Sequence, residues 1–148
     1  MKLKEIMKYP VITVKSEATL KACGDLLQEH NINGAPVVDN DHVVGVITRA
    51  DIFRSVLPRY PEIYKDEQQF MDLAYIETRI DKVTKMKVSE VMASPAMTLD
   101  KETSVLKAGS ILTLRRIKQM PVMEEDALVG IITLKDIFRH IIEMAGKS

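Results

Sequence analysis

Two stretches of the chain share one pattern of apolar and polar positions, and each pattern predicts the same elements. A short β-prone run, Val11 to Val14 in one stretch and Ala96 to Leu99 in the other, comes first. Apolar residues at helical spacing follow it. These positions are Leu20, Cys23, Leu26 and Leu27, and in the second stretch Val105, Ala108, Ile111 and Leu112.

A hairpin and a second helix complete each stretch. In the first, Pro36-Val37-Val38 and Val43 to Ile47 flank turn residues, which predicts two strands joined by a tight connection. The second helix is predicted to begin near Thr48 and end before Pro58. Its counterpart is predicted to run from Thr133 towards Gly146, a helix-ending glycine.

The two stretches are copies of one unit. Adding 85 to each number from Glu5 to Arg54 gives Glu90 to Arg139 without a gap, and 19 of those 50 positions are identical. Many differences exchange one apolar residue for another, which preserves burial. The sequence therefore predicts an internal repeat of order β-α-β-β-α.

A connector from Ser55 to Lys87 separates the copies and matches nothing else in the chain. Its apolar residues recur at spacings of three and four, as in an amphipathic helix. Two interpretations stay open: a helix that covers exposed core, or a lid or contact surface. The helical positions are Phe70, Leu73, Ile76, Ile80 and Val83.

These patterns predict an α+β fold in which two pseudo-symmetric repeats pack together, with an inserted connector helix. We place repeat one at 1–57, the connector at 58–87 and repeat two at 88–146. A unit of roughly 50 residues buries too little surface to be stable alone, so the repeats are expected to support each other.

Composition narrows the classes of function. Lys and Arg number 21 and Asp and Glu number 21, so no net positive charge favours nucleic acid. No apolar run is long enough for a signal peptide or a membrane span. The single cysteine, Cys23, cannot form an internal disulfide, and we expect a cytoplasmic location and no membrane partner.

Each copy contains a glycine, two apolar residues and then Thr-x-x-Asp, at Thr48 to Asp51 and at Thr133 to Asp136. A threonine followed three residues later by an acid, where a strand meets a helix, is typical of a helix cap. The same geometry suits a nucleotide, because helix amides attract phosphate and a carboxylate accepts hydrogen bonds from ribose hydroxyls. Both interpretations stay open at this point, and one threonine could serve both.

The duplicated motifs resemble a tandem pair of CBS domains, also called a Bateman module. The resemblance covers about 100 of the 148 residues. It rests on the order and spacing of three motifs in each copy. In copy one they are Met7-x-x-Pro10-x-x-Thr13, Ile32-x-Gly34-Ala35-Pro36-Val37-Val38 and Gly45-Val46-Ile47-Thr48-x-x-Asp51, and copy two repeats them from Met92, Ile117 and Gly130.

The resemblance implies two crossed clefts, each able to hold AMP, ADP, ATP or S-adenosylmethionine. Each cleft would combine Thr-x-x-Asp from one copy with the first strand and the approach to Pro-Val from the other. One would use Thr133, Lys135 and Asp136 with Ile12, Ile32, Asn33 and Gly34. The other would use Thr48, Ala50 and Asp51 with Met97, Ile117, Lys118 and Gln119.

The residue types suggest a role for each group. Asp51 and Asp136 would accept from ribose hydroxyls, and the apolar residues of each cleft would sandwich the adenine. Gln119 and Met120 replace Gly34 and Ala35, so the cleft with Gln119 is expected to be narrower. Candidate phosphate partners are Lys4, Arg49, Arg115, Arg116, Lys118 and Lys135.

The resemblance therefore implies a stand-alone regulatory module that binds an adenosine compound and signals to an unidentified target protein. The alternative is a ligand-free structural module that dimerises through the helices at 52–57 and 137–142. We do not expect an enzyme, a catalytic cofactor or a bound metal, because the three histidines show no metal-ligand spacing and no P-loop occurs. Cys23 falls on an apolar helix stripe, which favours a buried, inert thiol.

Overall fold

The strands of each repeat form one three-stranded sheet in the computed structural model, which describes residues 1–57 and 73–147. In the first sheet, β1 (Val14–Lys15) is parallel to β2 (Gly34–Asp39), which pairs antiparallel with β3 (His42–Thr48). The second sheet has the same order, with β4 (Leu99–Asp100), β5 (Gln119–Glu124) and β6 (Ala127–Thr133). The predicted pair of β-α-β-β-α repeats and the α+β class are confirmed.

The predicted helices are present in both repeats. Thr19 and Ser104 cap the first helix of each repeat by accepting hydrogen bonds from the amides of Ala22 and Lys107. The helices are α1 (Leu20–Glu29), α2 (Arg49–Val56), α3 (Leu73–Thr84), α4 (Val105–Arg115) and α5 (Leu134–Ala145). None of the helices in the described ranges is both long and apolar enough to cross a membrane.

The hairpin between β2 and β3 follows from its turn residues. Asn40 and Asp41 have φ values of 49° and 65°, the left-handed region that a type I′ turn requires at both central positions. Asn and Asp tolerate this region better than other non-glycine residues. The turn aligns Asp39 with His42, and the register shifts once further along the strands, between Val37 and Val38.

The chain divides into two compact units that are offset from the repeats. One unit contains Thr13–Pro95, and we call it the central unit; the other, the terminal unit, contains Met1–Ile12 and Ala96–Ser148. The strand predicted at 11–14 is found at Val14–Lys15, where both residues pair with β2. Likewise, the strand predicted at 96–99 begins at Leu99.

Each unit includes a segment that we call a strap, Leu3–Lys8 in the terminal unit and Val88–Ala93 in the central unit. Lys8 exchanges backbone hydrogen bonds of 2.9 and 3.0 Å with Ile131 of β6. Ala93 pairs in the same way with Val46 of β3. Each strap therefore adds an antiparallel contact to the edge of its unit's third strand.

The start of the terminal unit's strap is also tied down by charge. Lys2 and Lys4 both donate to the carboxylate of Glu102, at 2.6 and 2.8 Å. These hydrogen bonds lower the pKa of Glu102 to about 2. Because the pKa of Glu102 in the folded chain lies below its ordinary value, the pairing stabilises the folded chain above pH 4.5. This stabilisation is lost as the pH falls towards 2.

Each sheet and its helices enclose a separate core. Equivalent positions are buried in both units, as the repeat requires: Leu27 matches Leu112, Val37 matches Val122, and Ile47 matches Ile132. The straps contribute Val88 to the core of the central unit and Leu3 to that of the terminal unit, each fully buried.

The connector helix covers the core of the central unit. Val83 is buried there, and Arg79 donates to the backbone carbonyls of Val56 and Ser55 at the end of α2. Ile80 is 43% exposed, so the stripe is buried only in part. Phe70 and the side chain of Leu73 lie outside the described residues.

A glycine on each third strand lets the strap approach closely, which generates a first prediction. A Cβ added at Gly45 would lie 2.7 Å from the carbonyl oxygen of Ala93 and from Sδ of Met92. Gly45→Ala should therefore destabilise the chain by about 1–3 kcal/mol in urea unfolding, because backbone has to move.

The control for this substitution is Gly24→Ala in α1. Nothing lies within 4 Å of a Cβ at that position. The control should stabilise the chain by about 0.5–1 kcal/mol, because alanine loses less conformational entropy in a helix than glycine. Equal effects of the two substitutions would contradict the close approach of the strap.

Candidate functional site

The two Thr-x-x-Asp motifs lie where the third strand of each repeat meets the following helix. Thr48 ends β3 and caps α2, and Thr133 ends β6 and caps α5. Each threonine hydroxyl accepts a hydrogen bond from the amide of the aspartate, at 3.2 Å for Asp51 and 3.1 Å for Asp136. The capping interpretation is therefore correct for both motifs. The two motifs differ in the hydrogen bonds of their aspartate carboxylates.

In the central unit, the carboxylate of Asp51 has a hydrogen bond on each oxygen. Oδ2 accepts from the amide of Thr48 at 2.9 Å and completes a capping box. Oδ1 accepts from the guanidinium of Arg54, one turn further along α2. The Asp51 side chain is 15% exposed, and each of its oxygens already accepts one hydrogen bond within the helix.

In the terminal unit, the carboxylate of Asp136 is bonded differently. The hydroxyl of Thr133 donates to Oδ2 at 2.8 Å. Oδ1 is buried and accepts no hydrogen bond from the described residues; Lys8 Nζ lies 3.6 Å away and Arg139 Nη2 3.4 Å away. With 4% of its side chain exposed, Asp136 is a deeply buried carboxylate with an unused acceptor.

In each repeat, the residues shortly before the Pro-Val pair lie beside the Thr-x-x-Asp motif of the same repeat. Gly34 pairs with Thr48 across β2 and β3, and Asn33 accepts a hydrogen bond of 2.8 Å from the amide of Arg49. In the terminal unit, Gln119 pairs with Thr133 across β5 and β6. The backbone carbonyl of Lys118 accepts a hydrogen bond of 2.9 Å from the amide of Leu134. The crossed combination of residues from different repeats stays a prediction.

The remaining candidates differ in exposure. Four side chains are expected to sandwich adenine. Ile12, Ile32 and Ile117 are partly buried, and Met97 is 38% exposed. Ile32 packs partly against the core of the central unit, and Ile117 against that of the terminal unit. The other candidates Ala50, Lys118 and Lys135 are exposed.

Several of the expected phosphate partners already have a role in the fold. Lys4 pairs with Glu102, and Arg49 donates to the side-chain carbonyl of Asn31 at 3.3 Å. Arg115 Nη1 lies 3.6 Å from Sδ of Met97, and Arg116 ends α4 in the left-handed conformation.

Sequence reasoning missed Lys8, whose ammonium group faces Asp136. The sequence did contain a signal for this contact. The repeat aligns Lys8 with Ala93, so a cation is present in one copy at a position where the other copy has none.

A sequence profile of the CBS domain matches the chain over residues 3–58 and 88–143. The chain belongs to the CBS domain family. The two matched segments are the two repeats, so the family resemblance is confirmed for both. As a CBS domain protein, the chain places each Thr-x-x-Asp motif at the strand-to-helix junction described above.

Related proteins give a consistent picture of the fold. The chain is 31% identical over 132 residues to the uncharacterized protein MJ1232 of Methanocaldococcus jannaschii; the match covers 88% of this chain and 36% of that protein. It is 31% identical, with a TM-score of 0.72, to the CBS domain of a CBS domain-containing membrane protein from Sphaerobacter thermophilus. That comparison covers 93% of this chain and 86% of the other.

A third relative was crystallised with ligands. The CBS domain pair of protein MJ0100, in complex with 5′-methylthioadenosine and S-adenosyl-L-methionine, is 25% identical with a TM-score of 0.71. The comparison covers 100% of this chain and 98% of the other. The CBS domain pair of MJ0100 therefore binds adenosine compounds.

Cys23 packs in the core of the central unit, where it is 1% exposed. Burial raises the pKa of the Cys23 thiol to about 11, so the thiol is almost entirely protonated at neutral pH. We expect negligible reaction of the folded chain with a thiol-specific disulfide reagent, and one reacting thiol per chain in concentrated urea. Rapid stoichiometric labelling of the folded chain would contradict this burial.

Proposed function

We propose that the chain is a regulatory module that binds an adenosine compound at its Thr-x-x-Asp motifs and signals the bound state to a target protein. The observation that carries the proposal is the buried carboxylate of Asp136 at the start of α5, with one oxygen that accepts no hydrogen bond from the described residues. Ribose hydroxyls are donors of the required kind. The adenosine ligands of the MJ0100 pair support the same ligand class.

The other site residues have roles that fit this ligand. Thr48 and Thr133 would hold the ribose edge, and Asp51 and Asp136 would accept from its hydroxyls. Ile12 and Ile32 would pack on adenine in one cleft, and Met97 and Ile117 in the other. The neighbouring residues complete the proposed set: Asn33, Gly34, Ala50, Lys118, Gln119 and Lys135.

A regulatory function requires that the ligand favour one conformation over another. A ligand can shift such an equilibrium only by its difference in affinity for the two states. No chemical step is needed, so the bound adenosine compound acts as a signal and not as a substrate.

Calorimetric titration with AMP, ADP, ATP and S-adenosylmethionine tests the proposal, with GMP as the control for the base. We expect saturable binding that is selective for adenine. The double variant Asp51→Asn/Asp136→Asn should lose this binding, because the amide removes the charge that accepts from ribose. Circular dichroism and urea unfolding establish that the variant is folded.

Two results would contradict the assignment. One is unchanged affinity in the folded double variant, and the other is equal binding of GMP. If no compound gives heat, the absence of any increase in Tm on addition of ligand would exclude binding, since a ligand specific for the folded state must stabilise it.

A second function, dimerisation, is favoured by an exposed apolar groove of about 620 Å³ on the terminal unit. Helices α4 and α5 form it, and Phe138 is 63% and Leu114 82% exposed. On the central unit the equivalent face has Lys21, Asp25 and Glu29 where the groove has Leu106, Ser110 and Leu114. The groove is lined by Leu106, Gly109, Ser110, Thr113, Leu114, Leu134, Ile137, Phe138 and Ile141.

We propose that a second copy of the chain covers this groove through α5. The exposed aromatic ring of Phe138 and the groove beside it belong to the same face, so a twofold contact could bury both rings at once. The central unit instead places its own helix α3 against α1 and α2. Exposed apolar patches of this kind commonly mark a protein interface.

Sedimentation equilibrium of the chain and two matched variants tests this contact. Phe138→Glu should convert a dimer to a monomer, because an interface cannot bury the unpaired charge. Phe53→Glu, at the equivalent position of the helix predicted at 52–57 and with 64% exposure, should weaken the dimer less, because the central unit has charged residues of α1 where the groove has Leu106 and Leu114. A monomeric parent chain, or a dimer that survives Phe138→Glu, would contradict the proposed interface.

A further inference from the structure

The two motifs offer a ligand different acceptors. In the described part of the chain, both carboxylate oxygens of Asp51 accept hydrogen bonds, whereas Oδ1 of Asp136 accepts none. A ribose hydroxyl would have to share an oxygen of Asp51 with Arg54 or with the capping amide. At Asp136 it would meet an oxygen with no competing hydrogen bond, once the exposed side chains of Lys8 and Arg139 turn aside to uncover this buried atom. The motif of the terminal unit is therefore better prepared for ribose.

The charges around the two aspartates differ as well. Asp136 has two cations within 4 Å, Lys8 at 3.6 Å and Arg139 at 3.4 Å, so the cluster has one positive charge in excess. Among the residues that the structure describes, Asp51 has one such partner, Arg54, which is the equivalent of Arg139. Ala93 stands at the position of Lys8 in the other strap. The excess positive charge is therefore specific to the terminal unit.

Lys8 can reach a ligand without movement of the backbone. Its amide and carbonyl groups are held by Ile131, while its side chain is 58% exposed and lies beyond hydrogen-bond distance of Asp136. When a ribose hydroxyl binds Asp136, the ammonium group can turn to a group attached to the same ribose. An anionic phosphate is the partner that a lysine favours there.

The ligands of this family differ in charge at that position. An adenosine 5′-phosphate has a negative group next to the ribose, and 5′-methylthioadenosine has an uncharged thioether. S-adenosylmethionine has a cationic sulfonium, which a nearby lysine would repel.

We propose that the Thr133–Asp136 motif is the ligand site of this chain and that Lys8 makes it selective for adenosine 5′-phosphates. The proposal rests on the proposed function, since it names the operative motif and the charge of its ligand. It assigns to the strap a direct contact with the ligand's phosphate.

The test compares AMP with uncharged adenosine on the full chain by calorimetry. We expect one site per chain and tighter binding of AMP than of adenosine. Lys8→Ala, which recreates the alanine of the other strap, should weaken AMP about tenfold, as expected for one charge-assisted hydrogen bond. Adenosine should bind this variant within about twofold of the parent chain, because its ribose contacts remain.

Two further comparisons locate the site. Asp136→Asn should abolish binding of both compounds, whereas Asp51→Asn should retain the one site, with any loss of affinity equal for AMP and adenosine. Lys101→Ala is the charge-matched control, because it removes a lysine of the same unit that pairs with Glu124. It should not change the ratio of AMP to adenosine affinity.

The possible outcomes are distinguishable. Equal losses of AMP and adenosine affinity in Lys8→Ala would overturn the phosphate contact, and so would unchanged binding of both. Loss of binding in Asp51→Asn but not in Asp136→Asn would assign the site to the other motif. Each of these results leaves adenosine binding in place, whereas no binding of either compound to the folded parent chain would contradict the proposed function too.

Discussion

The structure depends on the close approach of each strap to the third strand of its unit. Gly45 and Gly130 make this possible, because a side chain at either position would collide with a strap methionine. Backbone pairing then holds Ala93 against Val46 and Lys8 against Ile131. The straps bury Leu3 and Val88 in the two cores. One steric constraint therefore closes each core and brings the end of each strap to the strand that leads into the Thr-x-x-Asp motif.

Duplication has preserved this frame while its chemistry diverged. The threonine caps and the buried strand positions are alike in both units. The carboxylates are not, because Asp51 closes a capping box and Asp136 keeps a buried oxygen beside two cations. The outer helices differ too, with charged residues on α1 and leucines on α4. The same fold thus presents two different surfaces, and we assign the ribose-binding motif and self-association to the terminal unit.

Helix capping and ligand binding are compatible uses of one motif. A cap holds the aspartate in place by its own backbone amide, which donates to the threonine. The side-chain carboxylate then stays at the positive end of the helix, where an acid is stabilised. A ligand that reaches such a carboxylate meets an acceptor already oriented, which reduces the entropic cost of binding.

The sequence by itself determined the repeat, the order of elements and the position of both Thr-x-x-Asp motifs. These depend on local spacing, such as the helical period from Leu20 to Leu27, and on turn residues such as Asn40 and Asp41. It also identified Cys23 as a core residue.

Only the tertiary structure decided which segments complete each unit. In the terminal unit, the strap pairs with a strand more than 100 residues away in the chain. In the central unit, the strap comes from repeat two and pairs with a strand of repeat one. For the same reason the role of Lys8 was hidden: its contact with Asp136 joins residues far apart in the chain, and no local pattern encodes such a contact.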